Sequence, residues 1–190
     1  MRAKGEATRQ VILDRAAELA SAVGLEGLTI GSLAADLKLS KSGLFAHFRS
    51  KEALQVETLD RAATLFREAV GDRVRAELDK RKRLRLFVEL WLAWLEDSGL
   101  SGGCPILAAA IEFDDVPGPV HDAAATHFGD LHDSLVRLAR AARPDGDAEM
   151  IAATVSGLAM SHLVRLRLLG DTQARAVTMR AFDALLGNPT

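Results

Sequence analysis

The chain has 190 residues, enough for one domain of ordinary size or a small domain joined to a larger one. Hydrophobic residues make up 48% of it and aromatics 5%, with no tyrosine, a balance that favours an alanine- and leucine-rich all-helical protein over a β-rich one. A formal net charge of −2 excludes a uniformly basic surface, and a single cysteine excludes an internal disulfide and fits a reducing compartment.

Charge is unevenly spread. Residues 1–51 hold eight Lys/Arg against five Asp/Glu, a balance of +3, whereas the remainder holds 16 against 21, a balance of −5. An acidic polymer is therefore favoured at the N-terminal end and repelled elsewhere. The start of the chain carries Arg2, Lys4, Glu6 and Arg9 without the apolar stretch of a secretory leader. No segment offers the ~20 uncharged apolar residues of a membrane span, so no membrane partner is expected and the location is expected to be the cytoplasm.

In chain order, about nine helices are predicted. The first runs from about Glu6 to Val23, burying Ile12, Ala16, Leu19, Ala20 and Val23, with Gly24 at the position of a C-terminal cap. In the second, Ile30, Leu33, Ala34 and Leu37 fall at i, i+3, i+4 and i+7, which makes one apolar stripe. After a break at Lys38-Leu39, Ser40 can cap a short third helix, Lys41 to His47. There Leu44 and Phe48 share an inward face while Ser42, Phe45 and Ala46 point away. Two short helices joined by a tight turn, the second displaying small, polar or flat side chains, fit a helix-turn-helix whose last helix enters a major groove about 12 Å wide.

The run Ser40-Lys41-Ser42-Gly43-Leu44-Phe45-Ala46-His47-Phe48, followed by Ser50-Lys51-Glu52-Ala53-Leu54, resembles the signature of the TetR family of bacterial regulators. The resemblance extends back through residues 8–19 to the family's first helix and through Gly27-Leu28-Thr29-Ile30 to its second, about the first quarter of the chain. It implies a DNA-binding transcriptional regulator, not an enzyme. Such a protein is an all-helical homodimer that binds palindromic operator DNA and releases it when a small molecule enters the larger C-terminal part. Carried over by position, Thr29, Lys41, His47 and Lys51 are implied phosphate contacts; Ser42, Gly43 and Phe45 face the groove, and Ser40 opens the helix that carries them. Three positions depart from the usual pattern: Ser42 stands where glycine is frequent, Phe45 where tyrosine is frequent, and Lys38 where a turn glycine is usual. The organisation expected is a DNA-binding domain over 1–51 and an effector-binding and dimerisation domain over 52–190.

Ser50 should cap a long fourth helix reaching about Glu77, with Glu52 in its first turn where a carboxylate meets the positive helix end. After Lys80-Arg81-Lys82-Arg83, a fifth helix places Phe87, Trp91 and Trp94 on one side and Leu84, Val88, Leu92 and Leu95 on another. A helix apolar over more than one face belongs inside a domain, as core or as a cavity wall. The loop Ser98–Gly103 leads to Cys104-Pro105, the start of a sixth helix. Cys104 there is read as a small buried hydrophobe, or alternatively as a thiol activated by a helix end. A seventh helix, Val120 to Arg143, buries Phe128, Leu131, Leu135 and Leu138. Its His121, His127 and His132 share no helical face, so no metal site and no cofactor are expected.

The eighth helix, Ile151 to Val164, is apolar or small all round and should have neighbours on every side. Its Ala153, Gly157 and Ser161 form a shallow groove for close helix approach. With a ninth helix from about Thr172 to Leu186, striped by Val177, Ala181 and Leu185, it resembles the family's four-helix dimer seam, placing a homodimer interface over about 148–186. The effector, implied by resemblance alone, would be small and largely apolar. Its candidate lining is Trp91, Trp94, Cys104, Phe113, Phe128, Met160 and His162. A catalytic use of Cys104 with one of the histidines is the competing class of function, and no spacing requires it.

Overall fold

The computed structural model describes residues 2–187. Its elements are α1 (Arg2–Val23), α2 (Ile30–Asp36), α3 (Lys41–His47), α4 (Lys51–Phe66), a π-helical turn (Arg67–Gly71), α5 (Asp72–Ala76), α6 (Lys80–Glu96), α7 (Pro105–Glu112), α8 (Pro119–Ala142), α9 (Ala148–Arg167) and α10 (Ala174–Leu186). Because α4, the π turn and α5 run on without a break, the described residues form nine helical stretches and no strand, as the composition predicts.

The chain divides into two compact units. The first comprises residues 1–65 and 98–128. One apolar cluster runs through it, from Ile12, Leu13, Ala16 and Ala20 of α1, through Leu25, Leu28, Ile30, Leu33, Ala34, Leu44, Phe48, Leu54 and Leu59, to Ala109 and Phe113 of α7 and Val120 and Ala124 of α8. The head that carries α2 and α3 therefore shares its interior with α7 and the first turns of α8. Val23, expected inside, is 58% exposed. The chain reverses at Gly24 (φ 79°), and Leu25 and Leu28 close the core in its place.

The second unit comprises residues 66–97 and 129–190. Phe66 meets Phe87, Trp91 and Trp94 edge-on, with ring centroids 6.3, 6.5 and 5.7 Å apart. The π turn begins at the next residue; such widenings of an α-helix recur at functional sites. Asp79 caps α6, its carboxylate accepting from Lys82 N at 2.8 Å, and the backbone and Lys82 charge together hold that carboxyl below its ordinary range. At the other end of α6, Glu96 receives Arg175 of α10 at 2.7 Å, while Arg175 also donates to the carbonyl of Glu89.

Two surfaces of this unit depart from expectation. Of the four α8 residues predicted to be buried, only Leu135 is fully so; Phe128, in the first unit, and Leu131 and Leu138 are half-buried, and Val136, Ala139 and Ala142 fill the interior instead. On α9, Ile151, Ala152, Val155, Ala159 and His162 are buried, but Met150, Ala153, Gly157, Ser161 and Val164, with Leu168 at the C-cap, form a stripe that stays exposed. Among the described residues, one side of this helix is thus left uncovered rather than surrounded. On α10 the fully buried positions are Ala174, Thr178, Phe182 and Leu186, while Val177, Ala181 and Leu185 are half-buried beside them.

Candidate nucleic-acid interface

The α2–turn–α3 unit is built by local hydrogen bonding and one buried seam. Thr29 caps α2: its hydroxyl accepts from Ser32 N at 2.9 Å, and Ser32 Oγ accepts from Thr29 N at 3.0 Å, a reciprocal pair that satisfies two orphan amides. After α2 the chain must reverse within a few residues, and Lys38 adopts φ 56°, the left-handed conformation that glycine usually supplies. Ser40 then caps α3, accepting from Gly43 N at 3.1 Å, with Ser42 Oγ 3.2 Å from its own hydroxyl.

Rotation of α3 is fixed by Leu44 and Phe48, both at 0% exposure. Ser42, Phe45 and Ala46 consequently face solvent, as their spacing predicts, together with Lys41 and Gly43, and His47 is half-buried. Lys41 lies back over α2: a Cβ placed on Gly31 would come 3.7 Å from its Nζ and equally near Thr29 Oγ1. A cation, a hydroxyl and a helix N-terminus thus occupy one corner of the surface, where a phosphate would find donors. Lys51 donates to Glu26 at 2.6 Å, and this contact, with the neighbouring positive charge, lowers the Glu26 carboxyl's pKa. An ammonium has three donors, so two remain for another acceptor.

The head is braced from beneath by groups that sequence reading missed. Arg9 stands 5.0 Å over the Phe48 ring, donates to Glu57 at 2.5 Å and reaches the His47 carbonyl at 3.5 Å. Arg15 forks onto Asp36 at 2.5 and 2.7 Å, tying α1 to the end of α2. Gln55, buried on α4, donates to the Leu25 carbonyl at 2.7 Å. Glu112, the last residue of α7, accepts from Leu25 N and Glu26 N, each at 2.8 Å. A polar residue in an otherwise apolar stripe, as Gln55 is, was the available signal; nothing local marks Glu112.

The seven candidate effector contacts fall in two units. Phe113 and Phe128 line one pocket of about 130 Å³ together with Ala109, Ala110, Asp114, His121, Ala124 and Ala125. Cys104, in the same unit, is buried at the N-terminus of α7. Trp91, Trp94, Met160 and His162 belong to the second unit. There Trp91 Nε1, Trp94 Nε1, Ser156 Oγ and both His162 nitrogens are buried without a hydrogen-bond partner. His162 Nε2 does lie 3.2 Å from Glu96 Oε1, within ion-pair distance but poorly aligned for a hydrogen bond. The three histidines of α8 pair with three different carboxylates: His121 with Asp122, His127 with Asp60 and His132 with Glu149, at 3.1, 2.7 and 3.0 Å. Among the described residues no cluster of three or more His, Cys, Asp or Glu is placed to hold a metal, and no helix is long and apolar enough to cross a membrane.

Two capped short helices around a strained turn, with the second displayed outward on a helical body, define a helix-turn-helix DNA-binding protein. The family model described as bacterial regulatory proteins, tetR family, matches residues 12–58, and that described as tetracyclin repressor-like, C-terminal domain, matches residues 81–182. The chain belongs to the TetR family of DNA-binding transcriptional regulators, which are not enzymes. A TetR transcriptional regulator from Chloroflexus aurantiacus is 26% identical, with a TM-score of 0.85 over 98% of this chain and 95% of its own. A regulator from Saccharomonospora viridis solved with choline is 22% identical, with a TM-score of 0.79 over 96% and 97%. AibR, solved with isovaleryl coenzyme A and operator DNA, is 19% identical, with a TM-score of 0.75 over 93% and 96%. A search of curated proteins finds no match.

Proposed function

We propose that this protein is a cytoplasmic, ligand-responsive repressor whose homodimer holds a palindromic operator until a small, largely apolar effector releases it. The observation that carries the DNA half is the outward face of α3, locked by Leu44 and Phe48. Residues 1–51 then read the DNA: Thr29, Lys41, His47 and Lys51 meet phosphates, Ser42, Gly43 and Phe45 meet the groove, and Ser40 at the DNA side caps the helix that carries them. Replacing Lys41 by alanine weakens operator binding and lowers the slope of log affinity against log salt by about one counterion. A titration with unchanged affinity and slope would refute the assignment.

Residues 52–190 supply dimerisation and response. The exposed stripe of α9, centred on Gly157, is the surface offered to a second copy over about 148–186, with Val177, Ala181 and Leu185 of α10 beside it. A Cβ on Gly157 meets nothing within 4 Å in the single chain. Gly157→Arg therefore leaves the monomer fold intact and breaks the dimer; sedimentation showing an undiminished dimer would place the interface elsewhere. For the effector, the support is an apolar setting with a few buried polar groups, Trp91, Trp94 and His162 in one unit and Phe113 and Phe128 in the other, with Cys104 and Met160 near each set in sequence. Related regulators solved with choline and with isovaleryl coenzyme A support a ligand in principle. An effector releases DNA only by preferring the DNA-incompetent conformation, so compound and operator must weaken each other's binding reciprocally. Operator affinity measured with and without cell extract that relieves repression tests this half.

A further inference from the structure

The operator-reading helix presents an aromatic ring that has no polar group to offer. Phe45 is 52% exposed although it is one of the larger apolar side chains of the molecule, and it sits on α3 one turn beyond Lys41 and Ser42, at i+4 and i+3 from them. Its orientation is set from the opposite side, because Leu44 and Phe48 are fully buried and Arg9 covers the Phe48 ring. Beside it, Ala46 is small and exposed, so the helix backbone can approach a surface closely there.

Base edges in a major groove carry donors and acceptors at nearly every position, which a phenyl ring cannot satisfy. The apolar exception is the C5 methyl of thymine. We propose that Phe45 is a specificity-determining residue that packs on a thymine methyl in each operator half-site. Lys41, beside Thr29 at the edge of the head, holds the phosphate while the ring one turn along reaches the base. The proposal rests on the DNA-reading role of α3 argued above and adds to it the chemical feature that is read.

The test uses the full chain and operators selected from random duplexes. In the best operator each thymine is replaced in turn by deoxyuridine, which removes only the methyl. Burying one methyl group corresponds to about a fourfold change in affinity, so one position per half-site should weaken binding about fourfold, and replacing both should weaken it about 15-fold. In Phe45→Ala, whose melting temperature should match the wild type because the ring is exposed, binding to the thymine operator weakens and sensitivity to deoxyuridine at that position disappears. Serine and lysine contacts elsewhere keep their own effects, which a Lys41→Ala control reads through the salt slope. Selected operators with no fixed thymine, a wild type indifferent to every replacement, or a Phe45→Ala variant that keeps the same sensitive position would each overturn the proposal while leaving DNA binding itself standing. Failure to select any duplex would overturn both.

Discussion

Glu112 closes α7 where the helix dipole disfavours a carboxylate, so its position needs a compensating partner. The partner is the turn after α1. With Gly24 at φ 79°, the amides of Leu25 and Glu26 point the same way and each donates to one Glu112 oxygen at 2.8 Å. Hydrogen bonds to a charged group contribute about 1.5–3 kcal/mol each, but the two amides fare differently once the carboxylate is removed. Leu25 is 1% exposed, so its orphaned N–H is rehydrated less readily than that of the exposed Glu26. Glu112→Ala should therefore cost about 3 kcal/mol, mostly through Leu25, and Glu112→Gln, which retains one acceptor, about half of that. For a chain of this length the alanine change corresponds to a melting temperature lower by about 6–12 °C at fixed protein concentration. Hydrogen exchange supplies the local readout: the Leu25 amide should lose protection in both variants. An alanine variant that melts within about 2 °C of wild type, or unchanged exchange at Leu25, would show that the latch contributes little.

The same geometry sets the outcome of other perturbations. A Cβ on Gly102 would fall 1.3 Å from the Ser21 carbonyl oxygen, so Gly102→Ala must push the loop before α7 off the end of α1 and break the 2.9 Å bond from Gly102 N to Ser21 Oγ. A cost of about 3 kcal/mol or more is expected by urea denaturation, while Gly129→Ala, open on all sides in mid-helix, should gain about 0.5–1 kcal/mol; similar values for the two would refute the packing described. The Arg15 guanidinium holds the Asp36 carboxyl below its ordinary 3.8. A depressed folded value contributes stability that is complete well above 3.8, fades as the pH falls past that value and is gone once the pH passes below the lowered one. The difference in melting temperature between wild type and Asp36→Asn should accordingly shrink through that acid window, and a difference independent of pH would exclude the Arg15 pair as its source.

Local chemistry is the part of this molecule that its sequence makes legible. Ser40 and Ser50 are readable as caps because short hydroxyl side chains ahead of an apolar repeat satisfy orphan amides without help from the rest of the chain. The outward set on α3 is fixed by Leu44 and Phe48 alone, since two inward anchors four residues apart determine the rotation of a seven-residue helix. Lys38 is readable as a strained turn residue because the reversal between two short helices is equally local. Contacts spanning many residues are not legible. The bond from Glu112 to Leu25 joins residues 87 apart, and no periodicity within α7 announces it.

The apolar surfaces divide along the same line. The small-residue stripe of α9 is visible in the spacing of Ala153, Gly157 and Ser161, but whether it faces the chain's own interior or outward depends on which neighbours fold against it, and among the described residues it stays exposed. Trp91 and Phe113 illustrate the harder case, because a packed core and the wall of a ligand site select the same side chains. What separates them is unspent polar capacity: Trp91 and Trp94 keep indole N–H groups buried without a hydrogen-bond partner, and so does His162 Nδ1, while His162 Nε2 faces Glu96 at 3.2 Å. A buried donor of this kind costs about 1–3 kcal/mol unless a water or a bound molecule meets it.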